Sequence, residues 1–484
     1  MIPNVAHSPR VRLALVALLC CAGAWLGPAA GAGAAGRSAG AAGRRAGAGH
    51  SAYPAGATRP AFVPRRSEYA HARAAARRRA RAAGASGGSA TPPAPSTPSK
   101  PSGSPKPGTS TTPAKGKRAK PKKPKLPVLH GNPARALVAF EAMQKSFYIA
   151  GSGLYEGEPF SYLWPFSQAL AATVSVAYIP HLGATLGRDV AKELDARLTG
   201  LNSYLDTDNS GAGEGVYTST LAAFDGTVVP PTGPGGTKYY DDNDWVGIEL
   251  ARLYQLTRKT ALLGSAEGIM AFEMAGWDEK PGLACEGGIP FSNALSNGER
   301  NTVTTAPAAE LGALLYKLTG DEQYLQFAEK AYEWVRSCLQ QPANLYADHI
   351  GDKGVVEPAL WSYNQGSMIG AGTLLYQATG NSGYLWQARQ TAAAALAYFN
   401  LERLVSENPF FVSVYLRNLM YLDSVTHDPP GPSLAQEYVN YAWQNERLSD
   451  YLFVTGTPPA TGLLAQAAIV QVYALLSIPA SDYF

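Results

Sequence analysis

Apolar residues recur every three to four positions through most of the chain after residue 128, which is the spacing of amphipathic helices. Three segments repeat one pattern, in which Leu-Tyr-x-x-Thr precedes a short polar turn and a second apolar-periodic stretch. Their tyrosines are Tyr254, Tyr316 and Tyr376, about 60 residues apart, which is room for two helices and their connections. Strand-like alternation is scarce. The pattern therefore predicts an all-α domain built from repeated helical hairpins.

The length of the periodic region predicts roughly six such hairpins. Six hairpins can stack as an open solenoid or close into a ring, and a solenoid needs polar capping repeats at its ends. The last predicted helix, TGLLAQAAIVQVYALLSI, is apolar enough to be buried. We therefore expect a closed toroid with a central depression at one end, lined by the loops that enter the inner helices.

The first residues are typical of an export signal. Arg10 and Arg12 precede the apolar run LALVALLCCAGAWLG, and the small-residue stretch PAAGAGAAG follows. A run of about 15 residues is short for a membrane span, which needs roughly 20. Residues 1–35 are therefore predicted to be a cleaved signal peptide that directs the protein to secretion or to the cell surface; an uncleaved anchor is the alternative.

Residues 36–127 are low in complexity, rich in Ala, Gly, Pro and Ser, and strongly basic. About 22 of the 41 Lys and Arg residues precede residue 128, where Glu68 is the one acidic residue. Such a segment cannot bury enough apolar surface to offset its ordering entropy, so we expect a disordered linker. It is expected at most to make weak contact with anionic wall polymers or a membrane surface. No aromatic residues alternate with the basic ones, which argues against nucleic-acid recognition.

The rest of the chain, residues 128–484, is predicted to form one acidic globular domain, which we expect to be a monomer. Its two cysteines, Cys285 and Cys338, form an isolated pair that predicts one disulfide in a secreted domain, with two separate thiols as the alternative. DTDNSGAG, from Asp206, begins like a calcium-binding loop, but Tyr217 occupies the position of the bidentate glutamate. With no zinc spacing among seven scattered histidines, no metal or cofactor is predicted.

The stretch KYYDDNDWVGIEL places Asp241 and Asp242 side by side where a helix is predicted to begin. One aspartate there is explained by helix capping, and Asp241 with Asp244 has the spacing of a capping pair. Two adjacent carboxylates repel each other, so the second is not explained in that way. Paired carboxylates beside aromatic rings such as Tyr240 and Trp245 are what glycosidic cleavage requires, because one acid protonates the departing oxygen and the other attacks or guides water.

The sequence is similar to glycoside hydrolase family 76, the endo-α-1,6-mannanases. YYDDNDWVGIELARLYQLT resembles the family signature, and YNQGSMIGAGTLLYQATG, FFVSVYLRNLMYL and TGLLAQAAIVQVYALL follow in the same order, so that the resemblance spans about residues 135–478. It implies an (α/α)6 barrel that cleaves α-1,6-linked mannan with retention of anomeric configuration.

The resemblance also implies roles for individual residues. Asp241 would be the nucleophile and Asp242 the general acid/base. Polar side chains would bind sugar hydroxyls and aromatic ones would act as sugar platforms; for Trp164 the alternative is a place in the core, and for Asn364 and Gln365 it is capping of a helix. The full set of expected substrate-binding residues is Tyr240, Trp245, Trp164, Asn301, Thr305, Tyr363, Asn364 and Gln365.

One position departs from the family pattern. Asp244 stands where a small residue is expected, and it either raises the pKa of Asp242 or caps the helix. Three other functions stay open: a transglycosylase on the same substrates, a non-catalytic carbohydrate-binding module on the same scaffold, and a lyase or epimerase, for which His349 is the candidate base.

Overall fold

The computed structural model describes residues 129–180, 182, 190–207, 221–294, 297–428, 430–455 and 461–484. The predicted signal peptide and linker, and most of the DTDNSGAG segment, lie outside these residues. Within the described part, no helix combines the length and the apolar character needed to cross a membrane.

Thirteen α-helices make up the described domain, with short strands in the loops between them. The helices are α1 (Gly131–Phe147), α2 (Leu163–Tyr178), α3 (Val190–Leu201), α4 (Tyr240–Thr257), α5 (Thr260–Ala275), α6 (Thr302–Thr319), α7 (Glu322–Leu339), α8 (Ser362–Thr379), α9 (Ser382–Tyr398), α10 (Leu401–Ser406), α11 (Pro409–Thr426), α12 (Gly431–Tyr441) and α13 (Leu463–Leu475).

Six of these helices form an inner ring, in the order α2, α4, α6, α8, α11 and α13, and α13 packs back against α2. Each inner helix also packs against one outer helix, and the partner of α13 is α1. Gln466 in α13 donates a hydrogen bond of 2.9 Å to the carbonyl of Ala139 in α1. The ring is therefore closed, and the predicted toroid of six hairpins is confirmed.

Hydrophobic patterning explains which helices lie inside. The first fourteen residues of α8 are all buried, including its polar ones, so this helix has no solvent face. Outer helix α7 is amphipathic, and its buried stripe includes the predicted positions Tyr324, Ala328, Ala331 and Val335.

Tight turns set the direction of two of the hairpins. Gly320 and Gly380 end α6 and α8 in the left-handed conformation, at φ 76° and 72°, and the next helix begins two residues later. Because an outer helix returns the chain between each inner helix and the next, the inner helices are parallel and all begin at the same end of the barrel. We call that end the mouth.

Long loops enter the inner helices at the mouth, and short strands order them. Strands β1 (Leu205–Asp206) and β2 (Ala223–Phe224) pair in one antiparallel ribbon. Strands β3 (Glu299–Asn301), β4 (His349–Gly351) and β5 (Val356–Glu357) form a second antiparallel sheet that joins the loops before α6 and α8.

Buried amide side chains fasten these loops to the helices. Asn243 and Gln365, each the fourth residue of its helix, bond both the N–H and the C=O of one loop residue, Phe224 and Tyr346 respectively. Gln466, the fourth residue of α13, accepts from the Phe453 N–H and donates to the Tyr451 carbonyl. Each amide therefore satisfies backbone groups that water cannot reach.

Replacing Gln466 by leucine should lower the free energy of unfolding by about 2–4 kcal/mol, because buried backbone groups of Ala139, Tyr451 and Phe453 lose their partner. Urea denaturation followed by circular dichroism measures this change. Gln323→Leu, at an exposed position of α7, is the matched control and should change stability by less than about 0.5 kcal/mol. Equal effects of the two substitutions would contradict the assignment.

Candidate active site

Asp241 and Asp242 are the second and third residues of α4 and are 3% exposed. The N-cap residue is Tyr239, and no side chain caps the helix start. Capping therefore does not account for the two aspartates. They lie at the positive end of the helix dipole, where a carboxylate gains typically 0.3–1 kcal/mol.

Asp244 lies one turn below Asp241 on the same face of α4 and is fully buried. It is not at the cap position, so the capping alternative for this residue is wrong. Burial raises the pKa of the Asp244 carboxyl well above its usual value, and the charges of Asp241 and Glu310 raise it further. Neither of its oxygens has a hydrogen-bond partner in the described part of the chain.

Glu273, on outer helix α5, is a second buried acid behind the pair. The end of α5 packs tightly against the start of α4, since a Cβ added to Gly276 would lie 2.3 Å from the Tyr240 ring. Burial raises the pKa of Glu273 well above normal, and the charges of Asp244 and Asp241 add to the shift. Both Asp244 and Glu273 therefore hold a proton more tightly than an ordinary carboxyl group does.

Deeper in the barrel, charges are paired. Glu249 accepts from Arg252 and Arg417, at 2.7 Å each, and all three side chains are buried. Burial raises the pKa of Glu310 to about 8, although Arg417 and Asn418 act in the opposite direction. The interior below the mouth is thus polar, but burial opposes the ionisation of the acids there that form no ion pair.

Phe410, at the start of α11, is the centre of an aromatic cluster at the mouth. Its ring contacts Trp164 and Trp245 edge-on, with centroids 5.4 and 5.5 Å away, and Tyr363 at 6.2 Å. Tyr363 in turn stacks on Phe411 at 4.1 Å. Trp164 is partly exposed, whereas Trp245 is 2% exposed and serves as core rather than as an open platform.

Three of the expected substrate-binding side chains are committed to internal contacts. Tyr240 is fully buried and stacks on Phe272, with centroids 4.5 Å apart. The Thr305 hydroxyl accepts the Ile289 N–H at 3.0 Å, which anchors the loop before α6. Gln365 also donates to the Trp361 carbonyl, and no side chain caps the start of α8, so its amide fastens loop backbone and does not cap the helix.

Asn301 and Asn364 do come together, through a polar network that sequence reasoning missed. Asn364 donates to Asp348 at 3.3 Å, and Asp348 bonds the ring of His349 at 3.0 Å. The other ring nitrogen of His349 faces Glu299 at 3.3 Å, and Asn301 donates to Glu299 at 3.4 Å. The resemblance pointed to the two asparagines, but the connecting acids lie far apart in the sequence, Glu299 on β3 and Asp348 just before β4.

His349 is therefore held between two carboxylates. Burial lowers its pKa, but the hydrogen bond that the ring donates to Asp348 and the charges of Glu299, Asp348 and Glu357 outweigh that effect, so the pKa is raised. A proton-abstracting base must be unprotonated before it acts, whereas the carboxylates around His349 favour its protonated form, so this geometry gives no support to the lyase or epimerase alternative.

Cys285 and Cys338 are joined in a disulfide, with Cα atoms 6.0 Å apart, which ties the loop before α6 to the end of α7. Arg300 reinforces this loop by donating to the carbonyls of Cys285 and Ala284. No group of three or more His, Cys, Asp or Glu side chains suited to a metal ion occurs within the described ranges.

The buried acids make stability depend on pH. The pKa of Asp244 is raised in the folded state, so this residue makes the unfolding free energy depend on pH. Its pH-dependent cost is absent below the unfolded pKa near 4 and grows as the pH rises toward the folded pKa. Asp244→Asn removes this cost. We expect the unfolding free energy of the variant, relative to wild type, to increase by more than about 1.4 kcal/mol from pH 4 to pH 7, the equivalent of one pKa unit.

Urea denaturation at the two pH values measures this difference, and any cost of the new amide itself cancels because it is present at both. Asp195→Asn, at an exposed site on α3, is the control and should show no such trend. A constant difference between Asp244→Asn and wild type would contradict a protonated Asp244.

Comparisons with known proteins agree with the resemblance. A family model described as glycosyl hydrolase family 76 matches residues 196–418. A mannan endo-1,6-alpha-mannosidase of Candida glabrata is 28% identical over 135 residues, 26% of this chain and 29% of that protein. The Saccharomyces cerevisiae counterpart is 30% identical over 124 residues, 23% of this chain and 26% of that protein. The chain thus spans less than a third of the length of the two curated relatives.

Solved structures share the fold. A family 76 α-mannanase from Bacteroides thetaiotaomicron has a TM-score of 0.62 and 22% identity, covering 72% of this chain and 96% of that chain. An inactive α-1,6-mannanase variant from a Salegentibacter species, with two consecutive aspartates replaced by asparagine, was solved in complex with α-1,6-mannotriose. It has a TM-score of 0.57 and 20% identity, covering 72% of this chain and 99% of that chain.

At these identities the solved structures show the fold alone, a helical toroid. The chain is similar in sequence to glycosyl hydrolase family 76 over residues 196–418, a little under half of its length.

Proposed function

We propose that the protein is a secreted retaining glycoside hydrolase that cleaves α-1,6-mannosidic linkages in mannan or in the mannan cores of cell-envelope glycolipids. The observation that carries the proposal is the placement of Asp241 and Asp242, adjacent in the first turn of α4 at the mouth of a family 76 barrel.

In the first step the Asp241 carboxylate attacks the anomeric carbon, and the bond from that carbon to the glycosidic oxygen breaks. Asp242 donates its proton to the departing oxygen, so a mannosyl ester of Asp241 and a shortened chain with a free hydroxyl are formed. In the second step Asp242 takes a proton from water, the resulting hydroxide attacks the anomeric carbon, and the Asp241 carboxylate leaves. Two inversions give net retention.

The surroundings suit this division of roles. Asp241 must be ionised before the first step, and the dipole of α4 favours its charge. Burial raises the pKa of the carboxyl groups behind it, on Asp244 and Glu273, which opposes a build-up of negative charge beside the nucleophile. Asp242 must hold a proton at the same moment, and a neighbouring carboxylate promotes that.

The substrate class rests on the relatives. Two of them are named mannan endo-1,6-alpha-mannosidases, and a structural neighbour was solved with α-1,6-mannotriose. The mouth of this chain offers matching chemistry, with the partly exposed Trp164 as a stacking surface and, behind it, the buried amides of Asn301 and Asn364, whose Oδ1 atoms have no hydrogen-bond partner in the described residues and would accept a hydroxyl that reaches them. Secretion or a place at the cell surface follows from the N-terminal apolar run.

The test uses the purified full chain on linear α-1,6-mannan, with release of reducing ends as the measurement. Wild type should release short mannooligosaccharides, and Asp241→Asn and Asp242→Asn should each lose about 10³-fold or more in kcat, because one removes the nucleophile and the other the proton donor. The exposed Asp195→Asn is the control and should retain wild-type rates.

Cleavage by wild type that survives both substitutions would contradict the proposed roles. Binding of mannan without cleavage would favour a carbohydrate-binding module. Products longer than an added mannotriose acceptor would identify a transglycosylase, because the same mannosyl ester can be captured by a sugar hydroxyl.

A further inference from the structure

A continuous chain of side chains crosses the mouth between the starts of α6 and α8. It runs from Asn364 through Asp348, His349 and Glu299 to Asn301, with every contact between 3.0 and 3.4 Å. The backbone holds it in place, since Asn301 pairs with His349 across β3 and β4 and the Thr302 N–H donates to the Asp348 carbonyl. We call these five residues the mouth network.

The centre of the mouth network requires a charged ring. The two nitrogens of His349 face different carboxylates, one of Asp348 and one of Glu299. Imidazolium donates from both nitrogens, but neutral imidazole donates from one and turns a lone pair toward the other carboxylate. The third acid near the ring is Glu357 on β5, the residue opposite His349 in the pairing of β4 with β5. All three acidic neighbours therefore favour the charged ring.

The ends of the mouth network are two oriented amides. A carboxylate only accepts hydrogen bonds, so Asn364 and Asn301 must turn their Nδ2 groups toward Asp348 and Glu299. Their Oδ1 atoms are buried and have no hydrogen-bond partner in the described part of the chain. Such oxygens are fitted to accept the O–H of a sugar hydroxyl.

We propose that His349, as imidazolium, is a positioning residue that fixes the amides of Asn301 and Asn364 for binding mannose hydroxyls, so that substrate affinity falls when the ring loses its proton. This inference rests on the proposed function. The ring touches neither substrate nor the reacting carbon, and its effect passes through the two carboxylates.

The sign of the pH dependence follows from the raised pKa. The mouth network is intact below the unperturbed histidine value near 6.5 and is lost as the pH rises through the higher folded-state value. Contacts that hold substrate and transition state equally change KM and leave kcat alone. KM should therefore rise with pH while kcat shows no step at the same pKa.

The experiment measures kcat and KM of the full chain on α-1,6-mannotetraose from pH 5.5 to 8.5. Wild-type KM should rise roughly five- to tenfold across the range, as expected for the loss of about one or two hydrogen bonds. His349→Gln should have the high KM at every pH, with kcat near the wild-type value. His427→Asn, at the exposed left-handed residue that ends α11, is the control and should keep the wild-type profile.

A second measurement does not depend on catalysis. The imidazole resonances of His349, assigned by comparison with His349→Gln, should titrate above the unperturbed value, and Glu299→Gln should lower that pKa. Failure of wild type to cleave mannan, with this titration intact, would reject the proposed function and not the mouth network. A KM independent of pH, a wild-type KM in His349→Gln, or a ring that titrates at or below 6.5 would overturn the inference.

Discussion

The parallel arrangement of the six inner helices is the constraint on which the rest of the structure depends. An outer helix lies between each inner helix and the next, as after the tight turns at Gly320 and Gly380, so the chain returns to the mouth before the next inner helix begins. The positive ends of all six inner helices therefore meet at the mouth, where the loops that carry β1 to β5 also lie. Negative groups are stabilised at that end of the barrel.

Catalysis at the mouth requires loops whose backbone is held in a fixed position. Asn243, Gln365 and Gln466 provide this by bonding loop backbone from the fourth position of three inner helices. The fourth residue of a helix still lies near its open end, so the amides of Asn243 and Gln365 reach both the loop and the residue before the helix. Burial raises the pKa of acids behind this layer such as Asp244, which lowers the tendency of a buried carboxyl to ionise.

Much of this could be predicted from the pattern of residues along the chain. Helical periodicity and the echo at Tyr254, Tyr316 and Tyr376 predicted the hairpins, and the apolar last helix predicted closure. What could not be predicted depends on contacts between distant segments. The sequence suggested Gln365 as a sugar ligand, whereas its amide bonds the backbone of Tyr346, nineteen positions earlier. Nothing in the neighbouring sequence marked Phe410 as the centre of an aromatic cluster, beyond its position after a helix-starting proline.

The central claim is that two neighbouring aspartates on one helix end perform a double displacement. The most direct test is the anomeric configuration of the first products released from α-1,6-mannan by the wild-type chain, followed by proton NMR before mutarotation. The account predicts α-configured reducing ends at the earliest times, with the β-anomer appearing only later. Initial β-configured products would show a single displacement by water, and Asp241 would then not be a nucleophile.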